Sequence, residues 1–596
     1  MSSSPKPVLG LGFAPAAEPI LSRLLDAGVV DEVPGSGAMT PAAWLQQRWN
    51  GAGAVVAVGA CGLVVRLIAP LLQGKDTDPA VVVLDGLGRF AVPLLGGHGA
   101  GADRLAEAIA ALLGGQAVTT GSSASRGRLA LDAFGKDWGW RRGAGDWKAL
   151  MTAAARATPE SPLRIRQESG STLWCDLEAA AGVAVAGADE PADLVIGPQR
   201  GEGCRWHPPS LWLGMGCERD TDLAVLERLV DRTLAANDLA AEAVAGLATV
   251  DRKGDEPALL ALAQERGWTL RLFSAADLAA VPVPHPSEAV AREMGTASVA
   301  EAAALQAAGV TAEHLRVPKT IGRAEPGEQG AATLAIAEAA RSWSPARGAL
   351  HLVGSGPGRI DLLSGDARRA LAETTVWVGY GLYLDLLEPL RRSDQARREG
   401  RLTEERARCA EALDLAREGV KVALISSGDS GIYGMAGLAL ELWLALPEQE
   451  RPTFEVHPGL SALQLAAARV GAPLMHDFCT ISLSDRLTPW EVIEARLRAA
   501  AAGDFVVALY NPRSLGRDWQ LERARQLLLA GRSGDTPVAI GRQLGRREER
   551  VDLHTLATLP VQEVDMLTLV LIGNRSTYVR DGRMVTPRGY PGAELA

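Results

Sequence analysis

Cysteine is sparse in this chain and poorly spaced for chemistry. There are six, Cys61, Cys175, Cys204, Cys217, Cys409 and Cys479, and no two form a C-x-x-C pair. A disulfide framework or a thiolate metal site needs closer spacing, so the sequence predicts no structural zinc, no iron–sulfur cluster and a reducing cytoplasmic setting. Positive charge is also short. The net charge of −10 argues against a nucleic-acid partner, which needs a basic face, while leaving room for a small polyanion held by a few arginines. No run reaches the roughly 20 apolar residues of a membrane span, and the best candidate, Gly51 to Val65, is broken by Arg66. The opening MSSSPKPVLGLGF lacks the charged and apolar regions of a signal peptide, so a soluble protein is expected. There is no internal repeat and no low-complexity tail.

With 47% hydrophobic and 22% charged residues, the composition is that of a globular protein. At about 100–200 residues per domain, 596 residues imply three to five units. Apolar β-branched runs alternate with Ala/Leu-rich stretches, the pattern of α/β domains with mainly parallel sheets. Ala54 to Val58 and Ala80 to Leu84 read as buried strands, and Ala102 to Leu113 as a helix after a glycine-rich turn. Periodicity is weak and Trp-rich from about 134 to 210. Strand-like Leu211 opens another unit, with a helix to about Ala235. Gly322 to Gly348 carries Gly and Pro at both ends and reads as a linker with one helix.

After that linker comes LHLVGSGPGRIDLL (Leu350 to Leu363), a strand turning on Gly354, Gly356 and Gly358. A dinucleotide-binding loop needs G-x-G-x-x-G and an acidic residue about 20 positions on. Here Pro357 interrupts a G-x-G-x-G pattern and no acidic strand end follows, so that reading is poor. Val422 to Ile425, a second strand, runs into SSGDSGIYGMAG (Ser426 to Gly437). Its glycines allow a ligand close to the backbone, and Asp429 offers a carboxylate to an amine or hydroxyl.

VGSGPG, GDSGIYGM, PGLSA, HDFCTISLSDRLTPW, YNPRS and TPRGY follow in order between 353 and 590. Together they closely resemble the cobalamin-pathway tetrapyrrole methyltransferases, within them the precorrin-3B C17-methyltransferases, over about Ala349 to Tyr590. The resemblance implies two α/β subdomains with S-adenosyl-L-methionine in the cleft between them. It places cofactor contacts on Pro357, Ser427, Gly428, Asp429, Ile432, Ser461, Ala462, Tyr510 and Gly541. It further implies a tetrapyrrole substrate rich in carboxylates, for which arginine forks are apt partners: Arg486, Arg513, Arg517 and Arg588 stand in or beside the motifs. Methylation coupled to ring contraction needs an acid or base, with His476, Asp477 and Asp485 as candidates. The resemblance also favours a homodimer through this half.

Upstream, two buried strands flank a loop carrying Arg66, Lys75, Asp76 and Asp78, and a third ends in GGHGAGAD before a helix. His98 among these glycines is placed to act as a general base, and the helix start beside it favours anions. GACGLVVRLIAPLL, KDTDP, VVVLDGLGRF and LLGGHGAGAD resemble the CbiG family of cobalt-precorrin-5A hydrolases, which open a lactone and release a two-carbon aldehyde. The resemblance makes His98 catalytic and Arg66 and Lys75 substrate contacts. Ala100 and Asp103 depart from the family's usual Gly and Asn, and Asp103 brings negative charge to where an anionic substrate would lie. LGMGCERDT, LATVDRKGDEPALLALA and GTASVAEAAAL, with Lys253 and Glu301, resemble that family's C-terminal domain; a surface salt bridge is the expected role of either side chain.

The expected architecture is therefore multidomain α/β: a CbiG N-terminal-like domain (1–140), a variable middle (141–210), a CbiG C-terminal-like domain (211–321), a linker (322–348) and a two-subdomain tetrapyrrole methylase fold (349–596). The expected function is a bifunctional enzyme of corrin biosynthesis. The alternative is a methyltransferase fused to a non-catalytic tetrapyrrole-binding module. Other corrin-pathway enzymes are possible partners, and no resident metal is expected. A metal-free and a cobalt-bearing substrate fit the sequence equally.

Overall fold

The structure, a computed structural model, describes residues 6–35, 39–74, 77–97, 99–120, 128–345, 347–401, 403–514, 516 and 518–591. Its described residues hold five five-stranded sheets and one small three-stranded sheet. No helix among them is long and apolar enough to cross a membrane.

In the first sheet, Val8–Gly12, Ala54–Val58 and Ala80–Leu84 run parallel, and Phe90–Leu95 joins antiparallel. AVVAV and AVVVL are buried at every position, because helices cover both faces of the sheet: Glu18–Asp26 and Ala102–Leu113 on one, Pro41–Arg48 and Cys61–Ile68 on the other. Helix Ala102–Leu113 stops at Gly114, whose φ of 75° is the left-handed C-cap conformation glycine accepts most readily.

The Trp-rich middle forms a sheet of its own, with Leu194–Ile196 between Cys204–His207 and Leu163–Gln167. Phe134 is its hub, with the rings of Trp140, Trp174 and Trp206 edge-on at 5.7–6.1 Å. That core is continuous with the strands at Leu350, Val376 and Val422, so the middle region packs into the C-terminal half.

In the third sheet Leu211–Cys217 is central. Here the linker expectation fails. Ala331–Glu338 is a strand, antiparallel to Leu211–Cys217 over seven residue pairs, and Leu315–Arg323 pairs on its other side. Alanine-rich ATLAIA suggests a helix by propensity, but small side chains suit a strand wedged against the Val299–Ala308 helix, and tertiary packing decides.

The C-terminal half has two sheets. The first has the order Ala396–Gly400, Val376–Tyr380, Lys421–Ser426, Ala349–Gly354, Thr453–His457, all parallel. The second contains Phe478–Ser482, Val506–Tyr510, Thr568–Ile572, Pro537–Arg542 and Arg550–Thr555, mostly antiparallel. Contacts join the two halves of the chain. Helix Ala102–Leu113 packs on Gly365–Glu373, Arg391 pairs with Glu178 at 3.0 Å, and the Arg271 guanidinium lies 4.2 Å from the Trp212 ring and 3.9 Å from that of Trp343. Arg347 stacks on Trp343 at 3.5 Å, and burial pushes its pKa down to about 9.

Candidate active site

Three neighbouring parallel strands, Lys421–Ser426, Ala349–Gly354 and Thr453–His457, end side by side, and their loops meet backbone to backbone. The Gly356 and Gly428 N–H groups each donate to the other's carbonyl, at 3.1 and 2.8 Å. A Cβ on Gly459 would sit 2.0 Å from the Gly428 oxygen and 2.7 Å from the Gly354 carbonyl. Only glycine permits this approach, and it leaves a wall of peptide groups facing the cleft. Such a crevice at the carboxyl ends of parallel strands is where open α/β sheets bind ligands.

Asp429 ties two of these loops together. Its Oδ1 accepts the Gly431 N–H at 2.9 Å and its Oδ2 accepts the Gly459 N–H at 3.1 Å. Ser461 caps the helix Ala462–Val470, accepting the Gln464 N–H while Gln464 bonds back to the Ser461 N–H, so the positive end of this helix opens on the cleft. The second sheet supplies the opposite wall. Tyr510 accepts the Leu463 N–H at 3.3 Å, and burial pushes its phenol upward against a hydrogen bond to Ser461. The rings of Tyr433 and Tyr510 lie 5.2 Å apart, and the Tyr433 hydroxyl donates to the Thr480 carbonyl at 2.9 Å.

The cleft is partly open to solvent, and a few polar groups and aromatic rings from both sheets converge on it. Tyr433, Asn511 and Gln543 line it with φ of 55°, 50° and 49°. Non-glycine residues seldom adopt that conformation, and such strain concentrates at functional sites. Arg546 is the cation among the described lining residues and Asp429 the anion.

Eight of the nine cofactor positions named from sequence line this cleft: Pro357, Ser427, Gly428, Asp429, Ile432, Ser461, Ala462 and Tyr510. Gly541 does not; it lies behind Leu544, whose Cδ1 a Cβ there would meet at 2.7 Å. The acid–base and arginine candidates lie elsewhere. His476, Asp477, Arg486 and Arg588 are exposed outside the cleft lining. Asp485 accepts from Gln520 at 3.1 Å, and Arg513 donates to the Gln562 carbonyl at 2.6 Å. Arg517 lies outside the described residues. Sequence reading missed Tyr383, Tyr433, Asn511, Gln543 and Arg546. Tyr433 and Asn511 stand inside quoted motifs; asparagine favours a left-handed backbone, whereas the tyrosine gives no such signal.

In the N-terminal half, His98, Lys75 and Asp76 lie outside the described residues. Arg66 is exposed on Cys61–Ile68 and donates to the Gly62 carbonyl at 2.9 Å. Asp103 is buried in the first turn of its helix, against Gly97. The surface salt bridges expected of Lys253 and Glu301 give way to buried positions. The Glu301 carboxylate is fully enclosed and accepts from the His285 and Lys319 N–H groups at 3.1 and 3.0 Å. Lys253 is buried 3.9 Å from Glu256.

The geometry defines a two-sheet α/β enzyme half with a small-molecule cleft between its sheets. Residues 349–560 match the family model "Tetrapyrrole (Corrin/Porphyrin) Methylases". Residues 211–337 match "Cobalamin synthesis G C-terminus", and residues 43–124 match "Cobalamin synthesis G N-terminal". A probable cobalt-factor III C(17)-methyltransferase of Salmonella typhimurium is 48% identical over 243 residues, 40% of this chain and 99% of the relative. A precorrin-3B C(17)-methyltransferase of Sinorhizobium sp is 43% identical over 252 residues, 41% of this chain and 98% of the relative. A solved structure of the methyltransferase CobJ is 38% identical and covers 40% of this chain and 100% of its own, with a TM-score of 0.39. Through its C-terminal half the chain belongs to the tetrapyrrole methylase family, and it carries cobalamin synthesis G domains ahead of that half.

Proposed function

We propose that the C-terminal half transfers a methyl group from S-adenosylmethionine to C17 of a precorrin-3B-type tetrapyrrole, with the ring contraction that the resemblance implies. The cleft built by the glycine loops at the three strand ends carries the reading, together with identity that spans nearly all of two C17-methyltransferases.

The residues present fit the cofactor. Close packing of the Gly354 and Gly459 backbones holds Gly428, which has no side chain, open on the cleft, Asp429 supplies an acceptor for an ammonium or hydroxyl, and Tyr383, Tyr433 and Tyr510 supply flat apolar surface. When bound, S-adenosylmethionine supplies an electrophilic methyl group on a sulfonium. The chain's own contribution is placement: Asp429 fixes the first-sheet loops, and Tyr510 on the second sheet narrows the cleft from the other side. In-line alignment is the main requirement of such a transfer. Arg546 is positioned to pair with a substrate carboxylate.

Calorimetric titration of the whole chain with S-adenosylhomocysteine tests this, with one site expected. Asp429→Ala removes a charged acceptor from two N–H groups, each such bond being worth about 1.5–3 kcal/mol, so affinity is expected to fall about 10–100-fold. Absence of binding to the unaltered chain overturns the reading.

The N-terminal half is proposed as a hydrolase acting on a cobalt-precorrin-5A-type lactone, with His98 as general base. Wild type is expected to release a two-carbon aldehyde, and His98→Ala to abolish release while keeping tetrapyrrole affinity. Tight binding by wild type without turnover instead marks a non-catalytic tetrapyrrole-binding module, for which the buried negative charge of Asp103 speaks. A homodimer through the methylase half, where Leu487 is 99% exposed, is the proposed assembly, checked by sedimentation.

A further inference from the structure

A cluster outside the cleft has metal-ligand geometry. His351 and His457 are buried on adjacent parallel strands, with Glu455 beside them on the edge strand. His351 Nδ1 lies 3.0 Å from His457 Nε2. A Glu455 oxygen lies 3.6 Å from the first of these nitrogens and 3.7 Å from the second. A tetrahedral ion with bonds of roughly 2.0–2.1 Å places neighbouring ligands about 3.3 Å apart, so these three atoms already outline one face.

The outer contacts fit as well. The other nitrogen of His457, Nδ1, lies 2.8 Å from Asp366 Oδ2 on the helix Gly365–Glu373. A carboxylate there fixes the proton on Nδ1 and leaves Nε2 bare, the carboxylate–histidine arrangement found behind metal ligands. His351 Nδ1–H then donates to His457 Nε2 in the metal-free pair. Ligation needs only a shift of that proton to His351 Nε2, with no net charge change in either ring. Glu455 is half-exposed and opens the cluster to solvent, an entry path for an ion. Lys421, on a neighbouring strand, and Arg369, which pairs with Asp366 at 2.9 Å, are nearby cations set against the Glu455 and Asp366 carboxylates.

We propose that His351, Glu455 and His457 form a binding site for a divalent transition-metal ion of the zinc type, with Asp366 orienting His457 and one coordination position left open to solvent. Two imidazoles and one carboxylate suit such an ion better than a hard alkaline-earth cation. The site stands apart from the proposed methyl transfer. His351 is three residues before Gly354 and His457 two before Gly459, so a bound ion would pin together the strands that carry the cleft loops.

The test uses the full chain, stripped with a chelator and titrated with Zn²⁺ alone against a chromophoric competitor. One ion per chain, retained through gel filtration, is the expected result. His351→Ala and His457→Ala are each expected to weaken it at least 100-fold, and Asp366→Asn about 10–100-fold. Glu455→Gln guards against a folding failure, since its side chain is exposed; a loss of about tenfold with an unchanged circular dichroism spectrum supports the site. A wild-type chain with no site tighter than about 10 µM overturns the proposal, as does binding that survives the folded Glu455→Gln and Asp366→Asn variants unchanged.

Discussion

Gly459→Ala is expected to abolish S-adenosylhomocysteine binding and to lower the melting temperature of the C-terminal half. The added methyl would lie 2.0 Å from the Gly428 carbonyl oxygen and 2.7 Å from the Gly354 carbonyl, and both are backbone atoms that cannot rotate away. Overpacking costs about 1–3 kcal/mol where side chains can yield, so a backbone overlap this deep is expected at or above the upper end. Relief requires the three loops to part, which breaks the paired hydrogen bonds between Gly356 and Gly428 and pulls the Gly459 N–H from Asp429. The cleft wall is lost with them. The control is Gly437→Ala: nothing lies within 4 Å of a Cβ there, and the residue sits in the helix Ala436–Leu444. That change is expected to be neutral or to stabilise by about 0.5–1 kcal/mol, with binding unchanged. Thermal melts and calorimetry on the two variants separate crowding at one glycine from a general effect of adding methyl groups. Full binding by Gly459→Ala would refute the loop geometry.

The second large effect is a pH dependence of stability carried by Glu418. Its side chain is buried where the C-terminal half meets the middle region, and a Cβ on Gly139 would lie 2.4 Å from its carbonyl oxygen. Burial raises its carboxyl from 4.5 to about 7, against the opposing pull of Arg341, 3.8 Å away and exposed. The folded chain therefore holds a proton that the unfolded chain releases between these two values. Stability from this group is fully present below about pH 4.5, declines as pH rises through about 7 and is flat above it. A displacement of this size corresponds to roughly 3 kcal/mol, at 1.36 kcal/mol per pH unit. Glu418→Gln is expected to remove that part of the slope and to melt several degrees above wild type at pH 8. The melting difference between the two proteins across pH 4–8 isolates Glu418 from every other titrating group. A difference that does not change with pH would show that the carboxyl is not displaced.

The α/β class was readable without coordinates because it rests on local physics. Runs such as AVVAV and AVVVL are apolar at successive positions, which only a strand covered on both faces tolerates, and the alternation of such runs with Ala/Leu helices dictates layered sheets. Glycines spaced along VGSGPG, GDSGIYGM and PGLSA marked where backbone had to come close. Eight of the nine named cofactor positions line one cleft, because those glycines sit at the ends of neighbouring parallel strands.

Other features depended on partners distant in sequence. ATLAIA reads as helix until Leu211–Cys217 and Leu315–Arg323 flank it. His476, Asp485, Arg486, Arg513 and Arg588 stand near the cleft in sequence and outside its lining in space, since a motif fixes neighbours along the chain and not which way a loop folds. Likewise, spacing argued against a metal site, because ligand spacing registers only when the ligands share a loop or helix. His351 and His457 stand 106 positions apart and are brought to 3.0 Å by adjacent parallel strands. The sequence by itself determined the α/β class, the buried strands such as AVVAV and AVVVL and the glycine positions where backbones touch, because these follow from local sterics and burial periodicity. Only the tertiary structure decided which charged and titratable side chains meet, because that depends on strand register and loop direction, which residues far apart in sequence set together.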